Sequence, residues 1–128
     1  MLKTEPAFRA FYGKMPITKE RRYFDADGCV LGFHPYWPDG AFRNETTEAG
    51  WEAKLAALNE MPPEEIAELT ALSKRVSDAV PGAWSIDWLW TIDRGWVLTD
   101  MAVASESFCW HEHPNTPKHL SRPDDKPL

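Results

Sequence analysis

Basic residues are scarce in this chain: 14 Lys and Arg stand against 20 Asp and Glu, giving a net charge of -6. A nucleic-acid surface needs a basic stripe. The sequence has no run of five like charges and no Lys/Arg interleaved with aromatics, which excludes that class of partner. Cysteine is scarce too. Cys29 and Cys109 are the only two and lie far apart. One disulfide is open to them, but two thiols in a reducing compartment are the plainer reading. No window approaches the run of about 18 apolar residues that a membrane span requires, and the start, Met1-Leu2-Lys3-Thr4-Glu5-Pro6, has no apolar signal-peptide core. The expectation is a soluble, cytoplasmic protein with no membrane partner. Internal repeats and low-complexity tracts are also absent, apart from a loose echo between two hairpins.

What the chain does contain is ordinary in bulk and unusual in detail. Its 128 residues, 43% hydrophobic and 27% charged, suit one globular domain with a single core. Eleven prolines bracket the elements or crowd the tail, which fits a loop-rich domain. Seven tryptophans leave two readings open: rings that fill the core, or rings that line a cleft or a partner surface.

Local pattern gives an order of elements. Residues 19–25 read as a strand with Glu20, Arg22 and Phe24 on one face. Asp25-Ala26-Asp27-Gly28 reads as a turn, and Cys29–His34 as the returning strand, ended by Pro35-Tyr36-Trp37-Pro38. Residues 47–60 carry Trp51, Leu55 and Leu58 at helical spacing, and Met61-Pro62-Pro63 breaks that helix. Pro63-Glu64-Glu65 opens the next, because proline fits a first turn and acids suit its dipole. Ile66, Leu69, Leu72 or Ser73, Val76 and Val80 form its expected buried stripe, and Pro81-Gly82 stops it.

A second hairpin follows. Residues 84–92 alternate, with Trp84, Ile86, Trp88, Trp90 and Ile92 on one face and Ser85, Asp87, Leu89 and Thr91 on the other. Asp93-Arg94-Gly95 turns the chain into the strand 96–101. The pattern fades after Val103. These elements predict an α+β domain over residues 1–113, an antiparallel sheet of two hairpins packed on two helices, with an irregular or disordered tail at 114–128.

Asp87 and Asp100 are the most informative residues. Each is an acid inside an apolar strand, where aspartate is disfavoured. A two-residue turn at Asp93-Arg94 pairs Ile92 with Gly95 and sets Asp87 directly opposite Asp100. Opposed Cβ atoms lie about 5 Å apart, and carboxylates that close repel unless a cation sits between them. Such oxygen pairs bind Mg²⁺ together with substrate phosphates. A three-residue turn instead shifts the register by one and splits the pair across the two faces. Two unrelated acids, each hydrogen-bonded at the sheet margin, are the bland alternative.

The stretch from Glu64 to Ala102, with Trp84-Ser85-Ile86-Asp87 and then Arg94-Gly95-Trp96-Val97-Leu98-Thr99-Asp100-Met101, resembles the end of ATP-grasp domains. The earlier stretch is similar to the Glu-x-Arg strand and following hairpin of phage-type members. It runs from Pro16-Ile17-Thr18-Lys19-Glu20-Arg21-Arg22-Tyr23-Phe24 through Asp27-Gly28-Cys29-Val30-Leu31-Gly32 to Pro35-Tyr36-Trp37-Pro38. Together they cover residues 16–102.

The resemblance implies a C-terminal, metal-binding lobe of a family that binds ATP between two lobes. That family uses Mg²⁺ held by acids and joins a carboxylate to an amine through an acyl-phosphate. By position, Asp87 and Asp100 would be the Mg²⁺ ligands. Arg22 would be the catalytic residue facing phosphate or acyl-phosphate, with Glu20 beside it at the ATP site. Read from the residues alone, Glu20 and Arg22 are a same-face surface salt bridge. Two positions depart from the pattern. Ala102 stands where many members have a metal-ligating Asn, with Ser105 and Glu106 the nearest substitutes, and Ser85 stands where some have Arg. About fifteen residues precede the Glu-x-Arg strand, too few for the family's nucleotide-clamping lobe. The expected partner is therefore a second chain supplying that lobe. The rival expectation is a non-catalytic, acidic binding module that sets its tryptophan-rich face against a protein target. Cys109, His111, His113 and His119 form a further cluster that could hold Zn²⁺, though in an extended spacing unlike a finger. His34 reads as a hydrogen-bonded histidine at a strand end or as part of a cleft mouth.

Overall fold

A computed structural model describes residues 2–10, 14–38, 42 and 49–117. It is α+β, with two antiparallel sheets and two α-helices among those residues. The elements run β1 (Phe8–Ala10), β2 (Met15–Ile17), β3 (Glu20–Ala26), β4 (Cys29–Pro35), α1 (Trp51–Leu58), α2 (Pro63–Ala79), β5 (Ala83–Thr91) and β6 (Gly95–Val103). A 3₁₀ turn, Ala104–Glu106, follows. The two expected hairpins lie side by side in a four-stranded sheet of order β4-β3-β5-β6. The first closes on Asp27-Gly28, both at positive φ (46° and 89°), the backbone that two-residue hairpin turns demand.

The helices divide their work differently from the expected two-helix layer. Only α2 backs the large sheet, through Leu69 against Tyr23, Ile86 and Trp88. Helix α1, starting at Trp51 after the left-handed Gly50, packs instead on β1 and β2, a small sheet that short strands do not announce in sequence. Leu55 and Leu58 meet Phe8, Ala10, Ile17 and Phe42 there, flanked by Trp37 and Trp51.

Helix α2 ends where expected, but its buried row is Glu65, Leu69, Ser73 and Ser77, with Ile66, Leu72 and Val76 only half-buried. Each polar member of that row has a partner from another element, which is why it can be buried. Glu65 pairs with Arg21 at 2.8 Å. Ser73 Oγ accepts the Trp88 indole N–H at 2.9 Å, and Ser77 Oγ accepts the Gly28 amide at 2.7 Å. Arg21 is fully buried. Its guanidinium also donates to the carbonyls of Glu20, Leu58 and Glu60, so one side chain ties β3 to the end of α1 and the start of α2.

The sheet's other face is partly covered by the chain that follows β6. Phe24 packs on Ala104 and Cys109. Ser85 and Ser107 share a 2.7 Å hydrogen bond, and the Phe33 amide donates to Asn115 O at 2.9 Å. Residues 114–117 are irregular in backbone yet packed, with Thr116 and Pro117 buried against the body. The remainder of the expected tail, 118–128, lies outside the described residues.

Candidate functional site

The second hairpin brings the two acids together by an unexpected route. Its turn has three residues, so Thr91 pairs with Gly95 and the register begins one position off. Trp88 still pairs with Leu98. A bulge then leaves Thr99 unpaired, and beyond it Asp87 pairs with Asp100. The Thr99 hydroxyl donates to Asp87 O at 3.2 Å across the bulge. Because of this step, Trp96 faces α2 while Asp100 faces the opposite side with Asp87.

The neighbouring strand supplies the third group. β3 pairs with β5 so that Arg22 lies opposite Asp87. Arg22 Nε donates to Asp87 Oδ1 at 2.9 Å, and Nη2 donates to Oδ2 at 3.0 Å. This is the planar, two-point carboxylate clamp at which arginine excels. Nη1 donates to Phe108 O at 3.1 Å, and the guanidinium carbon sits 5.0 Å from the centre of the Tyr36 ring. The expected Glu20–Arg22 salt bridge is therefore replaced by a cross-strand one, because Asp87 is directly opposite while Glu20 lies along the same strand. Glu20 instead accepts the Thr18 hydroxyl at 3.4 Å.

The site's electrostatics follow from burial and crowding. Burial lifts the Glu20 carboxyl to about 7, with the Asp87 charge adding to the rise against the Thr18 hydrogen bond and the Arg22 charge. Burial opposes the charge on Arg22, but the hydrogen bond and charge of Asp87, with Tyr36 and Asp100, outweigh it and raise its pKa. Burial also raises the Tyr36 phenol, against the pull of Arg22. Asp87 is buried, whereas Asp100 is exposed.

All four sequence-derived site residues, Glu20, Arg22, Asp87 and Asp100, thus share one sheet face, with Arg22 and Asp87 in direct contact. Tyr36, the Phe108 carbonyl and Thr99 belong to the same site and escaped sequence reading. Tyr36 follows the strand in an aromatic turn, which was a signal of sorts. Phe108 acts through its backbone and left none.

Comparison with protein-family models, curated proteins and solved structures gives no match.

Cys109 is buried against Phe24, and His113 packs on Trp110 at 5.2 Å while its Nδ1 accepts the Asn115 amide. His119 lies outside the described residues. Among the described residues no three His, Cys, Asp or Glu side chains gather as a metal-ligand set, and Cys29 and Cys109 are not joined. His34 is a fully buried strand-end histidine: Nδ1 donates to Pro35 O at 2.6 Å, and Nε2 accepts the Trp110 amide at 3.2 Å. Burial lowers its pKa to about 4. The tryptophan-bearing face of β5 is the one α2 covers, with Trp88 only 5% exposed. Among the described residues no helix is long and apolar enough to cross a membrane.

Proposed function

We propose that this chain is the metal- and phosphate-handling lobe of an ATP-grasp-type protein. With a nucleotide-binding lobe supplied by a partner chain, it would join a carboxylate to an amine at the expense of ATP. The observation that carries the reading is the convergence of Asp87, Asp100 and Arg22, from three strands, on one face of the sheet.

The donor set fits Mg²⁺. This ion is commonly held by one or two carboxylates, with substrate phosphates and water completing its shell, so a third protein ligand is not required. Asp87 and Asp100 would hold it. Each Asp87 oxygen accepts one hydrogen bond from Arg22 and keeps a further lone pair. When bound, the ion would neutralise phosphate charge during transfer. Arg22, held by Tyr36 and Phe108 at the edge of the acid pair, would orient and balance an anionic oxygen. Glu20, whose carboxyl titrates near neutrality, keeps a second negative charge away from that anion below about pH 7.

Ala102, paired with Ser85 where a further oxygen ligand would extend the site, favours a second reading. In it the half-fold persists as a non-catalytic binding module for a protein target. One titration separates the two. Mn²⁺, as a stand-in for Mg²⁺, is added to the purified chain with ADP and followed by electron paramagnetic resonance. Binding weakened at least about tenfold by Asp100→Asn supports the metal lobe, since a charged ligand's hydrogen-bonding and charge terms commonly exceed 1.4 kcal/mol. No binding, or binding indifferent to Asp100→Asn, refutes it.

A further inference from the structure

Arg22 and Asp87 balance each other's charge in the two-point clamp, and both are largely shielded, with side chains 13% and 9% exposed. That arrangement sets conditions on any ligand of the site. A divalent cation arriving alone at Asp87 meets the guanidinium charge already docked on both oxygens. The lone pairs left on Asp87 lie under that repulsion, and taking both oxygens outright displaces Arg22, leaving a shielded cation without its counter-ion. A phosphate arriving alone finds only the N–H groups that Arg22 does not give to Asp87 or Phe108, and engaging the clamping edge as well draws Arg22 away and strands a buried carboxylate beside the anion and beside Asp100. When both arrive together, the ion takes Asp87 and the phosphate takes Arg22. Two ion pairs are then exchanged for two, and neither buried charge is left bare.

We infer that the Arg22–Asp87 pair is an exchangeable latch that makes binding of a divalent cation and of a phosphate group mutually dependent. The inference rests on the proposed metal lobe and adds to it the rule by which the site fills. Two contacts make the exchange feasible. The Tyr36 ring lies against the guanidinium, and Phe108 O takes a third N–H, so Arg22 keeps support at the site when Asp87 releases it. Asp100, exposed on the neighbouring strand, bears on Arg22 through its charge alone and is open to an incoming ion. Arg22 is thus a positioning residue for the cation as well as a phosphate contact.

The test measures protein-bound Mn²⁺ by electron paramagnetic resonance at matched free Mn²⁺, with and without inorganic pyrophosphate. The reciprocal titration of pyrophosphate with and without Mn²⁺ completes the thermodynamic cycle. Wild-type protein should show the same coupling factor in both directions, on the order of 5- to 150-fold, the usual range for coupled sites. Arg22→Met frees Asp87, so Mn²⁺ alone should bind more tightly than to wild type and the coupling should collapse toward one. Arg22→Lys, which keeps the charge but cannot span both oxygens, should fall between them, and far-UV circular dichroism checks that both variants fold. Equal Mn²⁺ affinity with and without pyrophosphate in wild type, or coupling unchanged in both Arg22 variants, overturns the latch. Absence of Mn²⁺ binding under every condition overturns the metal lobe itself, so the two failures are told apart.

Discussion

Replacing Arg21 with methionine should cost more stability than any other single change on the helix-facing side of the sheet. The side chain is fully buried and makes five hydrogen bonds, two to the Glu65 carboxylate and one each to the carbonyls of Glu20, Leu58 and Glu60. Methionine fills much of the same volume, so the loss is chiefly electrostatic. Removing one member of a buried pair costs about 3–5 kcal/mol, a large share of the roughly 5–15 kcal/mol that holds a domain together. With 128 residues and about 2.1 cal/mol/K of unfolding entropy per residue, that corresponds to a fall in Tm of roughly 11–19 °C. Urea unfolding followed by circular dichroism supplies the free energy directly. Two companions sharpen the reading. Lys74→Ala, which breaks an exposed pair with Asp78, should stay within about 0.5 kcal/mol of wild type. The double variant Arg21→Met/Glu65→Leu should recover most of the loss, because apolar pairs often replace buried ion pairs without penalty. An Arg21→Met protein no less stable than Lys74→Ala would refute the view that this side chain fastens the three elements.

Three further outcomes follow from the described geometry. Burial raises the Glu20 carboxyl from 4.5 to about 7, so ionising it opposes folding, and its cost appears as pH rises through that window; Glu20→Gln should therefore be more stabilising at pH 8 than at pH 4, as read by paired thermal melts. His34 shows the opposite slope. Its folded pKa of about 4 lies below the ordinary 6.5, so its contribution is complete above pH 6.5, erodes as pH falls toward 4, and amounts to at most about 3 kcal/mol; a neutral His34 that persists at pH 5 while the imidazoles of an unfolded control have charged is the signature to seek by NMR. A Cβ at Gly32 would lie 2.5 Å from Asn115 O and 2.6 Å from Pro117; Gly32→Ala should displace residues 115–117, cost about 1–3 kcal/mol as an overpacking change, and speed hydrogen exchange at the Phe33 amide.

Much of the fold could be read from local pattern, because hairpins and a long helix announce themselves through alternation, turn residues and terminating prolines. Asp27-Gly28 fixed the first turn, and Pro63 and Pro81 framed α2. The buried row of α2 was not legible, since Glu65, Ser73 and Ser77 are polar and become core residues only through Arg21, Trp88 and Gly28, which lie on other elements. The site shows the same division. Asp87 and Asp100 stood out as acids in apolar strands, yet the clamp on Asp87 depends on β3 lying beside β5, a neighbourhood no local pattern encodes. The small β1–β2 sheet was missed because its three-residue strands are too short to show alternation.

The unpaired Thr99 also bears on how distant relatives would be recognised. Without it, Trp96, Val97, Leu98, Asp100, Met101 would alternate like any strand, with Trp96, Leu98 and Met101 toward the helix and Asp100 toward Arg22. Thr99 therefore behaves as an insertion in an otherwise regular text, and a homologue lacking it would keep both faces intact. Shortening the tip to two residues is absorbed just as locally. The same acid pair can then occur with up to two fewer residues between its members than the spacing seen here. A search pattern that fixes that spacing would pass over such relatives. An alignment should place the one-residue gap opposite Thr99 and let the tip vary on its own.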